Sequence, residues 1–123
     1  MGKVLVVDDE IAVRGVMGEF LKHWGYESLT AEDGATGLEL IQDERPDIVI
    51  LDFFLPDMVA CEFVSRLKEM HPDLPVIMIT SFWFRLHAKL VMEDGACAYV
   101  PKPIDFTHLL ETIDFWLNRQ ARN

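Results

Sequence analysis

The residues that could carry chemistry are polar side chains at the ends of short apolar stretches. Asp8 and Asp9 follow the first stretch, and Asp52 closes the third. Thr80 closes the fourth stretch, and Lys102 comes just after the fifth. Three carboxylates held together resist ionisation, and a hard divalent cation with oxygen ligands, such as Mg²⁺, relieves that conflict. With a lysine charge and a hydroxyl donor beside them, these groups would suit phosphoryl transfer by positioning and charge stabilisation.

Five short segments predict the strands that position these residues. Three of the segments are unbroken apolar runs, as in strands that are covered on both faces. The predicted strands are Lys3–Val7, Glu27–Thr30, Ile48–Leu51, Val76–Thr80 and Ala98–Val100.

Apolar residues spaced by three and four predict helices between the strands, each with a stripe facing the core. Asp33 and Asp105 stand at expected N-caps, and Gly25 stands at an expected left-handed C-cap. A further predicted helix, the fourth in order, follows Phe84 and has only a thin stripe. The clear stripes are Val13, Val16, Met17, Phe20, Leu21 and Trp24; Ala60, Phe63, Val64 and Leu67; and Phe106, Leu109, Leu110, Ile113 and Leu117.

This alternation of strands and helices predicts an α/β fold. Five β–α units in series imply a parallel sheet with helices on both faces and right-handed crossovers. All strands of such a sheet have their carboxyl ends at one edge, where ligands bind. The five polar residues named above, Asp8, Asp9, Asp52, Thr80 and Lys102, are therefore expected to meet in one pocket.

Composition narrows the class of protein. The chain has 123 residues, half of them apolar, and a formal net charge of −10. This length suits a single core, so residues 1–123 are expected to form one domain. The negative charge opposes direct binding of nucleic acid. With no apolar run long enough to cross a bilayer and no recognisable signal peptide, the protein is expected to be cytoplasmic and not to bind membranes.

Four segments, in order and spacing, resemble the signature segments of response regulator receiver domains of two-component signal transduction. They read VLVVDDE, IVILDFFLPDM, VIMITS and GACAYVPKP. The resemblance covers essentially the whole chain and extends to the family of the chemotaxis response regulator. It implies a flavodoxin-like, doubly wound sheet of five parallel strands in the order 2-1-3-4-5.

The resemblance also implies roles for the residues of the predicted pocket. Asp52 would be the phospho-acceptor, and Lys102 would contact the phosphoryl group and Asp52. Mg²⁺ would be the cofactor. Its ligands would be Asp9, Asp52 and the backbone carbonyl of Phe54, with Asp8 acting through a water.

The same resemblance implies a switch that responds to the phosphate. Thr80 would move toward the phosphate, and Tyr99 would turn inward. Together they would change the face formed by the fourth helix, the fifth strand and the fifth helix. A tyrosine in an edge strand fits plain packing equally well, so both roles stay open for Tyr99. The step Lys102-Pro103 resembles that of members with a cis bond there. Two roles fit Glu10, a negative charge at a helix N-terminus or contact with the site through a water, and the first is favoured.

The implied partners are a sensor histidine kinase or phosphotransfer protein upstream, and an output domain or downstream protein. A homodimer that forms on phosphorylation is compatible with this reading. The domain would catalyse only its own phosphorylation and its slow dephosphorylation, so it is not expected to be an enzyme acting on an external substrate.

Two alternatives from other classes compete with this interpretation. The first is a phosphorylation-independent interaction module with the same fold. The intact set of polar site residues argues against it, whereas the aromatic residues Phe82-Trp83-Phe84 favour it. The second is a phosphatase with an aspartate nucleophile, but such enzymes usually carry a DxD arrangement where this chain has Asp8-Asp9-Glu10. A nucleotide enzyme is disfavoured because no GxxxxGK loop is present.

The chain departs from the family pattern near the predicted pocket. Val59-Ala60 replaces an aspartate–glycine pair, so the entry to the third helix is expected to differ. Phe54 and Phe82-Trp83-Phe84 are aromatic, whereas the family usually has small or polar residues at several of these positions. The three consecutive aromatics could fill the core beside the fourth helix, or they could form an exposed docking patch.

Phe54 and Phe82 flank the phospho-acceptor in the family's geometry, so we expect them to impede the attacking water and prolong the phosphorylated state. Replacing both with small polar residues should therefore accelerate the loss of phosphate, which can be timed directly. Unchanged or slower loss would refute this expectation.

Overall fold

A computed structural model of the protein describes residues 2–81, 92–93 and 95–121. Its five strands form one sheet in which every pairing is parallel, in the order β2-β1-β3-β4-β5. This confirms the predicted doubly wound α/β fold and its strand order. The strands are β1 (Lys3–Val7), β2 (Glu27–Ala31), β3 (Ile48–Asp52), β4 (Val76–Ser81) and β5 (Ala98–Lys102).

Four helices cover the two faces of the sheet within the described part of the chain. They are α1 (Ile11–His23), α2 (Gly34–Glu44), α3 (Ala60–Met70) and α4 (Phe106–Ala121), the last being the fifth helix predicted from the sequence. The fourth predicted helix and the aromatics Phe82-Trp83-Phe84 lie outside the described residues.

Alternate side chains of the central strands fill two separate cores, one on each face of the sheet. On one face, Leu5 and Val49 pack with Phe63 of α3. On the other, Val4 and Ile48 pack with residues of α1 and α4. Because both faces are covered, the central strands must be apolar at every position, which is why their sequences run without alternation.

The predicted helix ends are confirmed. The Asp33 side chain accepts a hydrogen bond from Thr36 N at 2.7 Å, and the Asp105 side chain accepts one from His108 N at 3.2 Å. Gly25 has a φ of 87°, a left-handed conformation that glycine adopts without strain. The Lys102-Pro103 peptide bond is cis.

The apolar stripe predicted for α1 is too wide. Met17 and Leu21 are buried, but Val16 is 55% exposed and Trp24 is 49% exposed. Val16 lies at the edge of the stripe, turned by roughly 100° from Met17. Trp24 is the C-cap residue, so it falls beyond the last turn of the helix. The helix therefore contributes a narrower face to the core than its sequence predicts.

Within residues 2–81, 92–93 and 95–121, none of the helices is long and apolar enough to cross a membrane.

Candidate functional site

The strands bring the predicted site residues to the carboxyl edge of the sheet. Asp8 follows the end of β1, and its backbone N–H extends the pairing with β2 by donating to Ala31 O at 3.0 Å. Asp52 is the last residue of β3, and Lys102 is the last residue of β5. Thr80 lies near the end of β4, opposite Pro101 in the register. The structure therefore places these four residues at one edge of the sheet, as the sequence predicts.

Asp52 and Lys102 form the close ion pair of this edge. The Lys102 ammonium lies 3.6 Å from Asp52 Oδ1. The Asp52 side chain is buried, whereas one third of the Lys102 side chain is exposed. Phe54 N donates a hydrogen bond to the same Asp52 oxygen at 3.4 Å. The phosphoryl-accepting candidate therefore lies between a cation and a backbone donor.

These two favourable contacts do not fully compensate the Asp52 charge. Burial and the nearby charge of Asp8 raise the pKa of Asp52 from its ordinary 3.8 to about 6, although Lys102 and the Phe54 N–H act in the opposite direction. Asp9 contributes further repulsion. At neutral pH a carboxyl group with this pKa is mostly ionised, so Asp52 carries a buried negative charge that Lys102 and the Phe54 N–H do not fully stabilise.

Asp8 is a second buried carboxyl group with a raised pKa. It is buried, and burial raises its pKa despite a hydrogen bond from Glu10 N to Asp8 Oδ1 at 2.9 Å and the charge of Lys102. Asp9 and Glu10 are exposed. Carboxylate oxygens of Asp8, Asp9 and Glu10 lie within 4.8 Å of one another, and we call these three residues the acidic cluster.

A hard divalent cation would relieve the repulsion among these carboxylate oxygens. Mg²⁺ prefers carboxylate and carbonyl oxygens and keeps several waters, so the chemistry of this donor set fits it. Sequence reasoning predicted Asp8, Asp9 and Asp52 for this purpose, and for Glu10 it favoured a helix-end charge over contact with the site through water. The structure gives Glu10 the N-cap position of α1, with no capping bond from its side chain, and brings its carboxylate into the acidic cluster.

The two residues expected to act as a switch differ in burial. Thr80 is buried, with 1% of its surface exposed. Tyr99 is half-buried on β5 and packs against the core that α3 covers. Both therefore lie in strands that lead directly to the site.

Phe54, expected to flank the site, extends into solvent. Its side chain is 55% exposed, and its ring meets that of Phe53 edge-on at 5.0 Å between centroids. Phe54 also forms an isolated antiparallel bridge with Val59, which closes the β3–α3 loop. Phe82, the other expected flanking residue, lies outside the described residues.

The loop after Asp52 is fastened to α2 by a contact that sequence reasoning did not anticipate. The Asp57 carboxylate accepts hydrogen bonds from Gly34 N at 2.8 Å and Ala35 N at 2.9 Å, at the start of α2. Met58 packs so closely on Gly34 that an added Cβ there would lie 2.6 Å from its sulfur. Val59 enters α3 with a φ of −78°, so the substituted Val59-Ala60 pair needs no left-handed residue.

A separate cavity of about 980 Å³ lies at the opposite edge of the sheet. Its lining includes Arg45, Lys68, His71 and Trp116. The predicted site residues that the structure describes do not line this cavity, so it is separate from the candidate functional site at the carboxyl edge of the sheet.

Comparisons with known proteins agree with this geometry. A family model described as the response regulator receiver domain matches residues 4–114. The chain is 30% identical to sporulation initiation phosphotransferase F of Bacillus subtilis, over 94% of this chain and 93% of that protein. It is 35% identical to the DNA-binding transcriptional regulator NtrC of a Bradyrhizobium strain over 91% of this chain, but it spans only 23% of that regulator's length.

Solved structures show the same likeness. A response regulator receiver domain protein from Clostridium thermocellum superposes with a TM-score of 0.94 at 29% identity, over 98% of both chains. A CheY-like receiver domain protein from Methanospirillum hungatei gives a TM-score of 0.93 at 30% identity, over 99% of this chain and 98% of that one.

Neutralising Asp52 should stabilise the metal-free protein. Because the folded-state pKa is raised to about 6, the folded state loses stability as the pH rises from 3.8 to about 6. At about 1.36 kcal/mol per pKa unit, this loss reaches at most about 3 kcal/mol above that range. We expect Asp52→Asn to raise the free energy of unfolding in urea and EDTA by about 1–3 kcal/mol near pH 7.5, and the gain to shrink toward zero near pH 4.

Asp57→Asn is the matched control for this experiment. Burial acts to raise the pKa of Asp57, but hydrogen bonds from Gly34 N and Ala35 N outweigh it and hold the pKa below its ordinary value. Neutralising Asp57 should therefore lower stability at neutral pH. If Asp52→Asn gave no gain near neutral pH, the charge strain assigned to this edge would be wrong.

Proposed function

This chain belongs to the response regulator receiver domain family, and we propose that it is a phosphorylation switch whose acceptor is Asp52. The phosphoryl donor is a sensor histidine kinase or a phosphotransfer protein. The observation that carries the proposal is the buried Asp52 carboxylate, with the Lys102 ammonium 3.6 Å away and an acidic cluster beside it.

In the proposed transfer, an Asp52 oxygen attacks the phosphorus of a phosphohistidine on the donor. A P–O bond forms, the P–N bond breaks, and its electron pair returns to the imidazole. The pKa of Asp52, raised to about 6 by burial and by Asp8, leaves most of the carboxyl groups ionised and nucleophilic at neutral pH. Lys102 balances charge on the transferred group, and the Thr80 hydroxyl donates to a phosphoryl oxygen.

We assign the Mg²⁺ site to the same residues. Asp9, Asp52 and the Phe54 backbone carbonyl would bind the ion, and Asp8 would act through a water. When bound, Mg²⁺ neutralises the clustered carboxylates and the phosphoryl oxygens. The raised pKa values of Asp8 and Asp52, both caused first by burial, support a cation requirement at this edge.

Phosphorylation would be read out through the strands that end at the site. Thr80 moves toward the phosphate, and Tyr99 turns inward. The face that includes β5 and α4, the fifth helix predicted from the sequence, then changes its shape, and an output domain or a downstream protein binds to it. We propose that residues 1–123 act together as one receiver domain. Its chemistry is stoichiometric self-phosphorylation and slow self-dephosphorylation, so its role is switching and not turnover of a separate substrate.

One observation favours a second candidate, a phosphorylation-independent interaction module. Apolar side chains surround the acidic edge with most of their surface exposed, namely Ile11 at 79%, Phe54 at 55% and Val59 at 68%. Such side chains are typical of a docking surface. They are equally suited to contacting a phosphoryl donor, so this observation alone does not displace the switch.

Incubation with acetyl phosphate and Mg²⁺, followed by intact-mass measurement, separates the two functions. We expect the wild-type chain to gain one phosphoryl group, and Asp52→Asn and an EDTA-treated wild type to gain none. Asp57→Asn is the control, since it alters a neighbouring loop carboxylate and leaves the acceptor. A wild type that stays unmodified, or an Asp52→Asn protein that is modified equally, would sink the proposed switch.

A further inference from the structure

Arg14 makes a contact with the acidic cluster that the proposed mechanism does not use. This half-buried residue lies in the first turns of α1, and its Nη1 donates a hydrogen bond to the backbone carbonyl of Asp8 at 2.8 Å. Its own backbone N–H donates to Glu10 O at 3.1 Å. One residue thus bridges the first turn of the helix and the end of β1.

The segment that Arg14 bridges is under electrostatic stress. Oxygens of Asp8, Asp9 and Glu10 lie within 4.8 Å of one another, and the Glu10 side chain makes no capping bond that would anchor the start of α1. Repulsion among three adjacent carboxylates favours a more open turn when no cation is present. Two of the bonds that oppose opening are the one from Arg14 Nη1 to the Asp8 carbonyl and the one from Glu10 N to Asp8 Oδ1, at 2.9 Å.

We propose that Arg14 is a positioning residue that holds the Asp8–Glu10 turn in its metal-binding arrangement. The guanidinium grips the backbone and not the carboxylates, so it keeps the acids together without occupying their oxygens. This inference rests on the proposed function, because it assumes that the turn binds Mg²⁺.

The proposal predicts a change opposite in sign to that of simple electrostatics. Removing a positive charge near a cation site should tighten Mg²⁺ binding if charge alone matters. Removing a positioning hydrogen bond should weaken it, because part of the binding energy is then spent on closing the turn. Arg14→Met therefore distinguishes the two roles of the side chain by the direction of the change.

Mg²⁺ affinity can be measured by following the backbone amide resonances of residues 8–10 during a titration with magnesium chloride. We expect Arg14→Met to weaken binding by about three- to tenfold, and Arg14→Lys, which keeps a donor on a shorter reach, to weaken it less. Lys22→Met is the matched control, since it removes a positive charge from the last turn of the same helix. Its affinity should stay within about twofold of wild type.

Two further readouts separate positioning from general damage. Hydrogen exchange at the Glu10 amide, measured in EDTA, should be faster in Arg14→Met and unchanged in Lys22→Met. Phosphorylation of Arg14→Met by acetyl phosphate should be slower than that of wild type at low Mg²⁺. It should recover to the wild-type rate at saturating Mg²⁺, because only the affinity for the ion is impaired.

Equal or tighter Mg²⁺ binding by Arg14→Met would overturn the inference, and so would unchanged Glu10 exchange or a rate that fails to recover. A wild type that binds no Mg²⁺ would instead overturn the proposed function on which the inference rests. The two failures are therefore distinguishable.

Discussion

The structure depends on how negative charge is compensated at one edge of its sheet. Asp8 and Asp52 are buried there beside Asp9, and the Lys102 ammonium lies 3.6 Å from Asp52. That cation and the Phe54 N–H lower the pKa of Asp52, yet burial and Asp8 raise it more. A folded protein tolerates such a site because the rest of its core supplies the stability that the site consumes.

The scaffold that supplies this stability is also what fixes the site. Three central strands are buried on both faces, and their parallel register brings residues distant in sequence to one edge. The pairing of Asp52 with Ile79 and of Ser81 with Lys102 sets the acceptor and the lysine on either side of β4. A shift of one residue in either pairing would turn these side chains to the other face of the sheet.

Much of this arrangement could be predicted from the sequence, because it follows from periodicity. Unbroken apolar runs identified the central strands, and the topology of a parallel sheet then required Asp8, Asp52 and Lys102 to converge. The caps at Asp33 and Asp105 followed from local chemistry. Burial of Val16 and Trp24 was predicted wrongly, since periodicity alone does not tell where a helix stripe ends or a cap begins.

Contacts between elements could not be predicted in the same way. The hydrogen bonds from α2 to Asp57 join a loop and a helix start through side-chain geometry that no spacing rule encodes. The same is true of the bond from Tyr26 to Asp114, which ties the start of β2 to α4. Arg14 is a further case, because a basic residue on an amphipathic helix is normally solvated and only its backbone target reveals a role.

The most direct test of the uncompensated charge is the titration of Asp52 itself. The carboxyl carbon of Asp52 can be followed by ¹³C NMR against pH in EDTA and then in saturating Mg²⁺. The account predicts a midpoint near pH 6 without metal, as burial and Asp8 raise the pKa, and a clearly lower midpoint when the ion is bound. A midpoint near the ordinary value of 3.8 without metal, unchanged by Mg²⁺, would contradict it.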